Sequence, residues 1–368
     1  MRLFVTGSDG FVGKNLCVRL RELGYQDIFA LSRATPTQDI APALAAADFV
    51  FHLAGTNRPR EAAEFTSGNV ALTASICRTL LDAGRSTPIV YASSIQAGLD
   101  NPYGRSKAAA EKVLEEYGEG ARVRVHNLRL NSIFGKWSRP NYNSVVSTFC
   151  HNIARDLPIR IDDAAAPVSL VYIDDVVNAM VAFLESAAAG DAAMSAIPVY
   201  ETTVGTIAAE IRAFKASRET LITEAVGVGF VRALYATYVS YLPMTKFSYA
   251  VAQYADPRGT FVEMLKTRDS GQLSYFSAHP GMTRGGHYHH SKTEKFLVIR
   301  GDALFRFRHI VTNERFDLRT SGEAPQIVET VPGWAHDITN VGDDEMIVML
   351  WANEIFDCNR PDTYKHAV

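Results

Sequence analysis

Tyr103 and Lys107 stand four residues apart in NPYGRSKAAAEK, a spacing that puts both on one face of a helix. A lysine ammonium beside a phenol favours phenolate, so the pair reads as a proton relay whose tyrosine pKa falls toward working pH. The run PIVYASS ahead of it ends in Ser93 and Ser94, and a hydroxyl there can hydrogen-bond a substrate carbonyl. Near the N-terminus, Gly7, Gly10 and Gly13 follow a short apolar run, with Phe11 and Val12 between the last two. Glycines at these places permit a tight turn and a close approach to a pyrophosphate. The helix that follows offers unpaired N–H groups and the positive end of its dipole. About twenty residues on, where an acid would hold the ribose of NAD, stand Ser32 and Arg33. An acid would repel a 2′-phosphate and an arginine attracts it, so the sequence predicts NADP(H).

A second constellation lies in the C-terminal third. Five of the ten histidines fall between His279 and His309, and His336 follows. Side chains alternate faces along a strand, so His287 and His289 point one way and Tyr288 and His290 the other. Glu294 follows after a turn, and His336 arrives from a different strand. Three imidazoles and a carboxylate suit a divalent transition metal, with zinc, iron and manganese all compatible.

The elements that must position these residues fall into two groups. RLFVTG, DIFALSR, DFVFHLAG, PIVYASS and RVRVHNLRL read as buried strands; GFVGKNLCVRLRELG, NVALTASICRTLLDAG and SKAAAEKVLEEYGE read as helices. Such alternation predicts a doubly wound parallel α/β sheet. From about Tyr249 the long helical patterns stop, and short strands such as KFLVI, ALFRFRHI and EMIVMLW are punctuated by glycine, as in an antiparallel barrel. The expected domains are 1–246 and 247–368, joined through SYLPMTKFSYAVAQYADPRG. A length of 368 residues, 47% apolar and 21% charged, suits two globular domains, and a net charge of -3 leaves no basic excess for nucleic acid or an acidic membrane. Cys17, Cys77, Cys150 and Cys358 lie far apart, which argues against a disulfide framework and for a reducing cytoplasm. MRLFVTG reads as a strand entering a glycine loop rather than a signal peptide, and no apolar run is long enough to span a bilayer.

The glycine spacing with Ser, Tyr and Lys resembles the extended short-chain dehydrogenase/reductases, a Rossmann-like fold. That resemblance implies Ser94 rather than Ser93 as the catalytic serine. His52-Leu53-Ala54-Gly55 is similar to the segment that lies beside the cofactor there, and Asn69 and Leu170–Asp175 match later motifs. Sugar 4,6-dehydratases carry an acid pair after the catalytic hydroxyl; Ile95-Gln96 stand here instead, which disfavours that elimination. A preference for NADP argues for net reduction over C4 epimerisation. Gly281, His287, His289, Glu294 and Gly301 resemble the first motif of the cupins, a double-stranded β-helix or jelly-roll fold. Gly333-Trp334-Ala335-His336 resembles the second, with Pro332 directly before the glycine instead of two residues ahead. Asp256–Glu263 is similar to a strand of cupin epimerases acting on deoxy-4-keto nucleotide-sugars, which implies Arg258 as an anchor for the diphosphate.

Nearly the whole chain resembles the CapF-type family of bifunctional UDP-sugar synthases in capsule and O-antigen biosynthesis, through SIQ-x4-NPYG-x-SK, FGKW-x3-NYNSV, TEKFLV and the tail PDTY. The resemblance implies a UDP-sugar substrate, zinc, a homodimer, and substrate contacts from Asn131, Lys136, Trp137, Tyr142 and Asn143. Chemistry supplies an order. A C4 ketone acidifies the hydrogens on C3 and C5, and reduction destroys that ketone, so C3 epimerisation in the cupin domain must precede reduction of C4 with NADPH. The expected conversion is of UDP-2-acetamido-2,6-dideoxy-4-hexulose to the 6-deoxy-L-talose sugar of the UDP-L-FucNAc route. The acid and base of the cupin site are open among Glu263, Lys266, Glu329 and His309. A single-activity UDP-sugar 4-reductase or C4-epimerase with a non-catalytic, dimerising cupin is the alternative.

Overall fold

The structure is a computed structural model. It describes the chain except residues 62, 190–195, 253, 257–258, 262–264, 268–270 and 355–358, and gives backbone alone at 188–189, 254–256, 259–261, 266–267, 272 and 274. Arg258, Glu263 and Cys358 therefore lie outside the described residues, as does the side chain of Lys266. Cys17, Cys77 and Cys150 are buried free thiols. Among the described residues no helix is long and apolar enough to cross a membrane. The chain divides into two compact units, residues 1–133 with 169–200, and residues 134–168 with 201–368.

The first unit holds five strands: β1 (Leu3–Thr6), β2 (Ile28–Leu31), β3 (Phe49–His52), β4 (Ile89–Ser94) and β5 (Val125–Leu130). They are ordered β2-β1-β3-β4-β5, and every neighbouring pair is parallel. Parallel neighbours need crossovers. Helices Phe11–Glu22, Leu72–Asp82 and Pro102–Ala121 supply them. On one face Phe4, Val50 and Tyr91 pack with Ile76, Leu80, Leu114 and Tyr117. On the other, Phe49 meets Phe183 of the helix Ile173–Ala189 at 5.9 Å. Both faces are covered, so β1 and β3 carry unbroken apolar runs instead of alternation. Chain order reverses between β1 and β3, and in such sheets ligands bind in the crevice beyond the carboxyl ends at that reversal.

The second unit holds two five-stranded sheets. One runs Ser248–Ala250, Gln326–Glu329, Glu294–Arg300, Met346–Ala352, Gln272–Ala278; the other runs Arg315–Ser321, Asp302–His309, Trp334–Asn340, Thr283–Tyr288, Tyr364–Lys365. Their strand pairs are antiparallel. Phe296 of the first meets Phe305 of the second at 5.6 Å, which puts the sheets face to face. The α/β Rossmann-like sheet and the all-β domain expected from the sequence are both present.

Helices Val145–Ala154, Val204–Thr220 and Gly229–Ser240 belong to this second unit, although they precede the expected domain boundary at 246/247. A buried charge cluster ties two of them to the sandwich. Glu329 pairs with Arg218 and, at 2.8 Å, with Lys295, and Tyr235 donates a hydrogen bond to it at 3.4 Å.

Candidate active site and metal centre

The carboxyl ends of β1, β2, β3 and β4 carry the residues singled out for cofactor and catalysis. Gly7 follows β1 with φ +65°, and a Cβ there would stand 3.0 Å from the Ala54 backbone nitrogen. A Cβ on Gly13 would lie 2.2 Å from the Gly7 carbonyl oxygen, so the start of the helix Phe11–Glu22 is pressed onto the loop. Gly10 precedes that helix without a side-chain cap, which leaves its first amides to an anion, and Phe11 and Val12 form its first turn. Ser32 and Arg33 follow β2. The Ser32 amide donates to Thr35 Oγ1 at 3.0 Å, and Arg33 is exposed.

His52 departs from the expectation that it lines the cofactor. It is fully buried, with Nδ1 2.9 Å from Thr6 Oγ1 and Nε2 2.9 Å from Thr73 Oγ1. Thr73 donates to the Asn69 carbonyl at 2.6 Å, so it accepts from His52 Nε2–H, and His52 Nδ1 accepts from Thr6. Thr6 in turn accepts the Leu53 and Ala54 amides, each at 2.9 Å. His52 thus holds the 53–55 segment against the glycine loop through buried hydrogen bonds, and its own ring has no free face for a ligand. Burial drives its pKa down to about 3 and keeps it neutral, with the Lys107 charge adding to the effect.

Asn69, matched above to a motif of the extended reductases, is buried and fully engaged in hydrogen bonds. It sits in a π-helical turn, Thr66–Ala71. Its side chain accepts the Thr56 amide at 2.8 Å and donates to the Thr56 carbonyl at 3.0 Å and to Ser106 Oγ at 2.9 Å. A Cβ on Gly55 would come within 2.8 Å of the Asn69 side-chain oxygen Oδ1.

Ser94, Tyr103 and Lys107 come together at the end of β4. Asn101 caps the helix Pro102–Ala121 by accepting the Gly104 amide at 2.8 Å, which sets Tyr103 and Lys107 in its first two turns. Lys107 Nζ donates to the Ala92 carbonyl at 2.9 Å and to the Tyr91 hydroxyl at 3.1 Å. Burial lowers its pKa to about 8. The Tyr103 phenol shares a hydrogen bond with Ser94 but is raised by burial, which outweighs that bond. The expected fall of the tyrosine pKa is therefore corrected: desolvation dominates, and the phenol is held as a proton donor. Ser93 is engaged elsewhere, donating to Glu111 at 2.5 Å.

In the sandwich, His287, His289, Glu294 and His336 offer one ligand atom each, and these atoms lie within 4.8 Å of one another. His287 and His336 are direct cross-strand partners. His289 follows the strand Thr283–Tyr288, and Glu294 opens a strand of the facing sheet, so the group sits between the sheets. Glu294 Oε2 is 3.1 Å from His289 Nε2 and 3.6 Å from His336 Nε2. The His336 Nε2 is buried without a hydrogen bond, an orphan that a cation would satisfy. Burial brings His287 down to about 4, with His336 and His289 adding to it, while Glu294, despite burial, is held well below the usual carboxylate range by His289. Three imidazoles and a carboxylate are donors suited to a divalent cation, and the four residues fit one. The turn with Pro332 beside Gly333 forms normally: Gly333 has φ +81° and its amide donates to the His289 carbonyl at 2.9 Å.

The remaining candidates are placed less uniformly. Asn131 falls in the first unit; Lys136, Trp137, Tyr142 and Asn143 fall in the second. Lys136 is buried with Nζ 5.5 Å from the Trp137 ring, while Tyr142 and Asn143 are exposed. A Cβ on Gly333 would lie 2.8 Å from Trp137 Cζ2, and His309 stands 5.9 Å from the same indole. Glu329, one of the acid/base candidates, is ion-paired with Arg218 and Lys295. Lys292, which the sequence reading passed over, reaches Glu294 Oε1 at 2.8 Å.

Residues 3–195 match the NAD dependent epimerase/dehydratase family, and residues 254–364 match the polysaccharide biosynthesis C-terminal domain. The chain belongs to the NAD dependent epimerase/dehydratase family. It is 53% identical, over all of its length and 99% of the relative's, to UDP-2-acetamido-2,6-beta-L-arabino-hexul-4-ose reductase of Pseudomonas aeruginosa. Among solved structures it is similar to the capsular polysaccharide assembling protein CapF of Staphylococcus aureus, with 40% identity, full coverage of both chains and a TM-score of 0.68. The CapF-type kinship inferred from sequence motifs thus holds for this family member. A UDP-glucose 4-epimerase from Thermotoga maritima shares the fold at 19% identity and a TM-score of 0.51, over 59% of this chain and 83% of that one.

Proposed function

We propose that this family member is a bifunctional nucleotide-sugar enzyme, in which residues 247–368 epimerise C3 of a UDP-2-acetamido-2,6-dideoxy-4-hexulose and residues 1–246 reduce its C4 ketone. One observation carries the reading: a single chain holds both a buried Ser94-Tyr103-Lys107 group and a four-ligand cage of His287, His289, Glu294 and His336. The name of the Pseudomonas relative, a reductase of such a 4-ketosugar, supports the substrate.

When bound, NADPH supplies the hydride for C4. Gly7, Gly10 and Gly13 would receive its pyrophosphate, and Arg33 its 2′-phosphate. Ser94 hydrogen-bonds the C4 oxygen and Tyr103 donates the phenolic proton to it as the alcohol forms; Lys107, as ammonium, steadies the negative charge left on the phenol. At the other centre His287, His289, Glu294 and His336 would hold a divalent cation, zinc by preference, which would supply stabilisation of negative charge on a substrate oxygen. Loss of the C3 proton and its return on the opposite face invert that carbon while the ketone survives. The substrate contacts assigned to Asn131, Lys136, Trp137, Tyr142, Asn143 and Arg258 belong to this same proposal, as do a homodimer and a cytoplasmic setting for a biosynthetic enzyme.

The test is consumption of NADPH with UDP-4-ketosugars. Wild-type protein is expected to oxidise NADPH and the Tyr103→Phe variant to lose that rate. Oxidation by a metal-free protein at full speed, with an unepimerised alcohol as product, would favour the single-activity reductase instead.

A further inference from the structure

We propose that Asp362, in the C-terminal tail, is a positioning residue for the metal cage, acting through His289 and the turn between His289 and Glu294. The inference rests on the metal reading above and adds to it an element that no ligand spacing contains. The Asp362 main-chain oxygen is hydrogen-bonded to His289 Nδ1. A carbonyl oxygen only accepts, so Nδ1 carries a proton, and Nε2 is the atom His289 turns toward Glu294 and the cage.

The Asp362 carboxylate grips the turn itself. One oxygen accepts the His290 amide at 2.9 Å; the other accepts the Ser291 amide at 2.7 Å, the Lys292 amide at 2.7 Å and Ser291 Oγ at 3.0 Å. Four hydrogen bonds to an anion, three of them from consecutive amides, fix the only path between ligands His289 and Glu294. The strand Tyr364–Lys365 extends the grip. It pairs with Thr283–Tyr288, placing Lys365 opposite His287 and Tyr364 opposite Tyr288, whose rings stack at 5.6 Å. One tail segment therefore braces both histidines of the His287-x-His289 pair. Groups that orient metal ligands in this way typically govern metal affinity by about 10–100-fold.

The experiment uses the full chain as wild type, Asp362→Ala and Asp362→Asn, each stripped of metal. Zn2+ is titrated against a chromophoric chelator, and Co2+ absorption is recorded to report ligand geometry. Asp362→Ala is expected to bind Zn2+ about 10–100-fold more weakly with an altered Co2+ spectrum, and Asp362→Asn, which keeps one acceptor oxygen, to recover part of the loss. Zn2+ affinity in Asp362→Ala within twofold of wild type, with the same Co2+ spectrum, would overturn the inference while leaving the metal reading intact. Wild-type protein that binds no Zn2+ would overturn the metal reading and the inference together. Should neither variant fold, 15N-histidine NMR of metal-free wild type decides: His289 protonated on Nδ1 supports the proposal, and His289 protonated on Nε2 alone contradicts it.

Discussion

The Lys107 ammonium stands 6.0 Å from the centre of the Tyr103 ring, anchored by the Ala92 carbonyl and the Tyr91 hydroxyl. Burial brings Lys107 to about 8 and raises Tyr103. Below that value the lysine is charged and the tyrosine keeps its proton, which are the forms a reduction requires. The kcat/KM for NADPH-dependent reduction is expected to be flat near neutrality and to fall as pH rises through about 8. Tyr103→Phe is expected to cost about 10²–10⁴-fold in kcat, because a positioned acid contributes that much. A pH profile of the wild type beside the variant's rate checks both.

Arg33 follows β2 and is the residue proposed above to hold the 2′-phosphate of the cofactor. Arg33→Glu sets like charges together and is expected to raise the KM for NADPH at least roughly tenfold while improving use of NADH. Initial rates with the two cofactors measure the switch, and an unchanged NADPH preference would remove Arg33 from the site.

Glu329 is 3% exposed and is ion-paired with both Arg218 and Lys295. Glu329→Gln leaves buried cations uncompensated and is expected to lower stability by about 3–5 kcal/mol, read from denaturant unfolding. C3 exchange per folded molecule is expected to persist in it, since this carboxylate binds helices to the sandwich instead of handling the substrate proton.

His52 is held neutral with its pKa at about 3, against 6.5 for a free imidazole. The unfolded chain binds the extra proton first, so the stability that His52 contributes is complete above about 6.5 and is lost as pH falls toward 3. His52→Leu is expected to cost about 1–3 kcal/mol at neutral pH, by leaving the buried Thr6 O–H without its acceptor, and to flatten the acid limb of the stability curve. Unfolding midpoints between pH 7 and about 4 give both effects.

What could be read from sequence was carried by short spacings. Tyr103 to Lys107 is one helical turn, His287 to His289 is one strand repeat, and Gly7 to Gly13 is one turn and a helix start, so each pattern fixes its own local geometry. Partners distant in sequence left no such mark. Asp362 meets His289 across 73 residues, and the tail motif PDTY gave no hint of its task. A histidine ending a strand, such as His52, looks the same in sequence whether its ring faces a ligand or two buried threonines. The Tyr103 pKa was misjudged because a lysine's charge is visible in sequence and desolvation is not. The Glu329 carboxylate looked available for proton transfer until Arg218 was found packed against it from a helix more than a hundred residues earlier.

The central claim is that C3 is labile at the His287, His289, Glu294 and His336 centre before C4 is reduced. Proton NMR of the UDP-4-ketosugar in D2O, with wild-type protein and no NADPH, tests it directly. Deuterium should enter C3 with the wild type and stay out with the His287→Ala/His289→Ala double variant. Equal exchange in both proteins, or none in the wild type, would contradict the account.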